Sequence, residues 1–302
     1  MQENLLMSLE SNKNVKKWRN ISIVMLLLVF LIIFSKTSNK SKEISGDKIA
    51  EIKLEGVIDV NDYRDDKIRE IINNDKIKAV ILEIDSPGGM VTPSEVLYDL
   101  VLALNQKKPV VVIMDSMAAS GGYMVSLGAD YIIAKNTTLT GSIGVLMQSY
   151  NFARLADKIG VELKAYKSSD LKGMPSYFEL NNKQSNLAMQ SMINDVFDYF
   201  TGLVKQRRKL TDKNFKLATN GQAFTGRQAL KIGLIDEIGD KNNALNYLKT
   251  KGINKNLPIQ KIELYEESKM SLFQKIVGEF YSNFETKNSN SGLMMIYGSN
   301  YN

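Results

Sequence analysis

Apolar positions switch repeatedly between two periods along residues 49–114. Residues 49–54 (IAEIKL) read as a half-buried strand, and residues 65–73 carry helical spacing. Residues 79–84 are continuously apolar except for Glu83, which suits a strand buried on both faces. A Gly-rich turn at 85–89 then leads to a predicted helix over 93–105 and a strand over 110–114. This alternation predicts an α/β fold of βαβ units, with a largely parallel sheet and right-handed crossovers. The second half is more helical. Leu187, Met192, Ile193, Val196, Phe197, Phe200 and Val204 predict one long amphipathic helix over 183–209. A short helix follows AFTG (223–226), and Leu272, Phe273, Ile276, Val277 and Phe280 predict another in the C-terminal region 266–302, whose end reads as a flexible tail. No internal repeat is present.

Ahead of this pattern, a tail at 1–20 bears Lys13, Lys16, Lys17 and Arg19 and precedes an apolar run at 21–35. With Trp18 counted in, the run is just long enough to span a bilayer, for which about 20 residues are typical. It would also suit a cleavable signal peptide, but FSKT (34–37) supplies no small-residue cleavage pattern, so the reading is a single transmembrane signal anchor. The basic flank sets residues 1–20 in the cytoplasm and the remaining chain across the membrane, although Lys36, Lys40 and Lys42 reduce the charge asymmetry. Residues 36–47 read as a polar linker, and 48–265 as the main domain.

Composition then narrows the chemistry. The 302 residues are 44% hydrophobic and 24% charged, enough for a sizeable core. The net charge of +6 is spread without a basic run or interleaved aromatics, which argues against a nucleic-acid partner. There is no histidine and no cysteine. That excludes Ser-His-Asp triads, cysteine nucleophiles and imidazole or thiolate metal sites. A serine nucleophile in such a chain needs another base, for which a lysine of lowered pKa is the natural candidate.

Three segments fall where strands of the predicted sheet end, the usual place for ligand sites in open α/β folds. In DSPGG (85–89), Gly88 and Gly89 allow backbone N–H groups to approach a substrate closely, although the segment also reads as an ordinary turn. In AASGGY (118–123), small neighbours leave Ser120 accessible at the start of a helix, where a serine can equally serve as an N-cap. TGSIGV (140–145) places Ser142 in another turn, and Lys167 and Lys172 follow in a loop rich in small residues.

Together DSPGG, SMAASGGYMVSLGAD, TLTGSIGV, YKSSDLKGM and GQAFTGRQALKIGLIDEIG resemble the signal peptide peptidase A family in its short, one-copy form, over about residues 48–240. The resemblance implies the Clp/crotonase-like fold, a repeated ββα core, and a Ser-Lys protease domain at 48–265. It implies Ser120 as nucleophile, Lys172 as general base, Ser142 as the hydroxyl orienting that lysine, and the Gly88 and Gly89 amides as oxyanion hole. Lys167 matches a position outside the dyad. DLKGM departs from related sequences, which often have a bulkier residue before the lysine and an acid after it. The implied activity is hydrolysis of remnant signal peptides and other unfolded apolar peptides through an acyl-enzyme. The implied assembly is a membrane-bound homo-octamer with sites shared between subunits, with no metal and no cofactor.

The alternative reading is a related membrane Clp-class Ser-Lys protease acting on an intact membrane protein partner. A β-lactamase-like S-x-x-K reading of Ser169 to Lys172 lacks the companion S-D-N and K-T-G elements. A crotonase-like acyl-CoA enzyme would share the fold, but the N-terminal apolar run and the Ser-Gly-Gly element favour peptide hydrolysis. An inactive scaffold would not need Ser120, Ser142 and Lys172 together.

Overall fold

Ala79, Val80, Ile81 and Leu82 are all buried, as a strand in the middle of a parallel sheet requires. The structure, a computed structural model of the chain, describes residues 18–25, 46–180 and 182–265. The chain divides after Gly46. In the first unit the described residues are one exposed helix, α1 (18–25), and Gly46 at the end of the unit. Among the described residues no helix is long and apolar enough to cross a membrane. Residues 26–35 of the expected anchor lie outside them, as do the expected C-terminal helix and tail at 266–302.

The second unit begins with β1 (Lys48–Glu55), α2 (Asp62–Asn73), β2 (Ile77–Ser86), α3 (Val91–Lys107), β3 (Val110–Ala119) and α4 (Gly121–Ser126). It continues through β4 (Tyr131–Ala134), β5 (Leu139–Gly141), α5 (Ala153–Lys158), α6 (Lys183–Arg207), α7 (Asp212–Ala218) and β6 (Ala223–Thr225). The last elements are α8 (Gly226–Ile232), β7 (Glu237–Ile238), α9 (Lys241–Thr250) and β8 (Ile259–Ile262). The sheet runs β6-β5-β3-β2-β1-β8, with β4 on β3 and β7 on β4. Every pairing is parallel except β5 with β6.

Alternation along each strand sends neighbours to opposite faces. Ala50, Ile52, Val80, Leu82, Val110 and Val112 join the larger core with Leu97, Val101 and Leu104 of α3. Ile49, Ala79, Ile81, Val111 and Ile113 join a second core closed by Ala244 and Leu248 of α9. The sheet is therefore covered on both sides.

One irregularity sets up the site. Ile84 pairs with Met114 but Ser86 with Ala118, so β3 gains two residues between those pairs. The Asp85 carboxylate accepts from the Met117 amide at 3.1 Å and satisfies the displaced backbone. Beyond this bulge β3 exchanges β4 for β5 as its neighbour, and the strand runs on to Ala119, five residues past the predicted end at 114.

Candidate active site

Ser120 stands between the last residue of β3 and the first of α4, with φ 52 and ψ −118. A non-glycine residue with positive φ is strained and persists only when its surroundings fix it. Here the Ser120 amide donates to Gly141 O at 2.8 Å, and its carbonyl accepts from the Met124 amide at 2.9 Å. Ser120 occupies the N-cap position, yet its side chain caps nothing, which leaves the hydroxyl uncommitted. The ordinary N-cap reading therefore does not hold.

Glycines around it are required by contact. A Cβ on Gly88, which has φ 95, would stand 2.6 Å from Gly121 N and 2.9 Å from Ser120 Cβ. A Cβ on Gly89 would stand 2.1 Å from Ile58 O. The two amides differ in availability. Gly88 N–H donates to Ser86 Oγ at 3.1 Å, whereas Gly89 N–H has no acceptor among the described residues. The buried Gly121 amide, first in α4, also lacks one. Gly89 and Gly121 rather than Gly88 thus offer free donors beside Ser120.

Ser142 also has positive φ, 49, and follows Gly141, whose φ is 78. Its amide donates to Gln222 O at 2.9 Å, Thr140 Oγ1 donates to Ala118 O at 2.8 Å, and Ile143 is fully buried. The turn is pinned at both ends, with the Ser142 hydroxyl free. Gly89, Val91, Ser120, Ser142, Leu146 and Gly221 line one cavity of about 410 Å³.

Lys172 is absent from that lining. It is exposed in a turn at 168–173, its amide donating to Ser169 O at 3.1 Å, and its ammonium has no partner among the described residues. The competing Lys167 is committed, since its ammonium pairs with the Glu179 carboxylate and approaches Met174 Sδ at 4.0 Å. Four of the five expected site residues thus lie together, and Lys172 is not among the residues that line their cavity.

Comparison with known proteins decides the family. The model of peptidase family S49 matches residues 103–255. A protein of Methanocaldococcus jannaschii that carries a provisional protease name is 33% identical over 233 residues, which are 72% of this chain and 75% of that one. The chain belongs to peptidase family S49. A relative in Enterococcus faecium provisionally named signal peptide peptidase SppA is 34% identical over 184 residues, 61% of this chain but 54% of its own. A solved structure of the membrane-bound stomatin-specific protease 1510-N covers 72% of this chain and 99% of its own, at 18% identity and TM-score 0.48.

As an S49 member the protein is a serine peptidase, and the matched region contains Ser120, Ser142 and Lys172. The DSPGG turn lies ahead of it, reaching Ser120 only through the fold. Sequence reasoning missed the Gly121 amide and the role of Ser86. A small polar side chain two residues before a positive-φ glycine was the available signal.

The segment 221–239, within the matched region, supports the site from behind. Arg208 makes a bidentate pair with Asp236 at 2.9 Å for both bonds, Asp236 accepts from the Ile132 amide, and Tyr123 Oη donates to Leu234 O. Burial pushes the Tyr123 hydroxyl far above its ordinary pKa, so it stays a donor and ties α4 to this segment.

Proposed function

We propose that the protein is a membrane-anchored endopeptidase in which Ser120 attacks a peptide carbonyl and Lys172 of a second copy takes its proton. The observation that carries this reading is the uncommitted Ser120 hydroxyl on a strained backbone, in a cavity that no basic side chain lines among the described residues. Exposed Lys172 is placed to be offered elsewhere. Attack forms the Oγ–C bond, and the carbonyl oxygen gains the negative charge, stabilised by the Gly89 and Gly121 amides. The lysine returns the proton to the leaving amine as the C–N bond breaks, and water then releases the acyl group. Ser142 holds the incoming amine toward Ser120. Substrates are remnant signal peptides and other unfolded apolar segments, as suits a cavity edged by Val91 and Leu146. The apolar run at 21–35 supplies the anchor, with the peptidase unit on the extracytoplasmic side.

Mixing two inactive variants tests this directly. Ser120→Ala and Lys172→Met should each lose several orders of magnitude of activity on a fluorogenic apolar peptide. When co-assembled at equal amounts they should regain about a quarter of wild-type activity, the fraction of shared sites holding one intact serine and one intact lysine. Two inactive variants that stay inactive when co-assembled would place the base in the same chain. A fully active Lys172→Met would remove it from the mechanism.

A further inference from the structure

The free Gly89 amide is held in place by a loop that contributes almost no burial of its own. Between β1 and α2, Val57 is 67% and Val60 70% exposed; only Ile58 is buried. Ile58 clamps the residues on both sides of Gly89, its amide donating to Gly88 O and its carbonyl accepting from the Met90 amide, each at 2.9 Å. The Ile58 backbone lies against Gly89 with no space for a side chain between them. Any shift of Ile58 therefore reaches the Gly89 N–H directly.

Besides the burial of Ile58 itself, a further tie on this loop comes from α2. Arg64, 1% exposed, donates through Nη2 to the Asp59 carbonyl at 3.0 Å and through Nε to Asp65 Oδ1 at 2.9 Å. Its contact with the Asp59 carboxylate is long, 4.0 Å, and that side chain is 67% exposed, so the neutral carbonyl is the firmer tie. A fully buried guanidinium is costly unless its donors are used, and here one donor goes to the residue next to Ile58.

We infer that Arg64 is a positioning residue for the oxyanion-stabilising amide, acting through Asp59 O, Ile58 and the Gly88–Met90 backbone. The inference rests on the proposed role of Gly89. A lysine at position 64 keeps the charge but cannot hold both acceptors in the fixed fork of an arginine.

The test uses the full-length protein and a fluorogenic apolar peptide. Arg64→Lys should lower kcat by about 10-fold or more, short of the 10²–10³ seen when an oxyanion donor is lost outright. KM should stay within about twofold, because the effect is confined to the transition state. Affinity for a peptide aldehyde, whose adduct carries the oxyanion, should fall in parallel with kcat. Affinity of the uncleaved peptide for Arg64→Lys in a Ser120→Ala background should not change. Asp59→Ala, which leaves the backbone acceptor in place, should keep kcat within about twofold. A folded Arg64→Lys variant with wild-type kcat would overturn the inference. So would a kcat loss matched by weaker peptide binding, and so would failure of both Arg64→Lys and Arg64→Met to fold, since each makes Arg64 a general structural residue. If Ser120→Ala itself stays active, the proposed function falls; if only Arg64→Lys is silent, this inference alone falls.

Discussion

At Ser120 the backbone and the side chain make opposite demands. Positive φ suits glycine, but glycine has no hydroxyl. The nucleophile position therefore stores strain of about 1–3 kcal/mol. Ser120→Gly and Ser120→Ala both remove the hydroxyl, but only the first relieves the backbone. The glycine variant should be the more stable by about 1 kcal/mol after its own entropy cost, as measured by thermal unfolding. Equal midpoints would mean that the conformation at 120 is unstrained. The motif around this residue was legible because small residues at a strand end are rare without a reason. The free donors were not, because Gly88 and Gly89 look alike in sequence, and what separates their amides is that Ser86 Oγ accepts from one of them.

Among the elements, β2 and the first half of β3 were readable from continuous apolar runs, and α6 from its 3.6 period. The bulge in β3 and the two- to four-residue strands β4 to β8 were not, since their pairings are fixed by partners far along the chain. A polar link of the same hidden kind closes α2. Lys108 is buried, and its ammonium donates to Ile71 O and Asn74 O, both at 2.9 Å. Lys108→Met should cost about 2 kcal/mol by leaving two carbonyls without a charged donor. Desolvation also lowers the pKa of Lys108 from its ordinary 10.5, so over the alkaline approach to that value the unfolded chain binds more protons than the folded one. This group's contribution should therefore make stability rise with pH there, and Lys108→Met should flatten the rise in denaturant titrations. A variant that keeps the rise would assign it to another group.

At the scale of the whole molecule, many exposed apolar residues among those described follow β5. Leu146 is 77%, Tyr150 73% and Tyr166 98% exposed, and Ile159 and Leu180 are also largely open. Sequence periodicity gave no element for residues 146–180, and of these only α5 is helical. On the proposed reading this exposed set, which includes the stretch carrying Lys172, is where a second copy would dock. Ile159→Lys with Tyr166→Glu should leave the unfolding midpoint nearly unchanged, because surface substitutions usually stay within about 0.5 kcal/mol. It should shift sedimentation toward smaller species and remove activity together. Unaltered sedimentation would assign the stretch to some other partner. That Lys172 does not line the Ser120 cavity bears on timing. A newly made copy carries a nucleophile without its base, so on the proposed reading it is latent until it meets others, and specific activity should collapse on dilution without any inhibitor or propeptide.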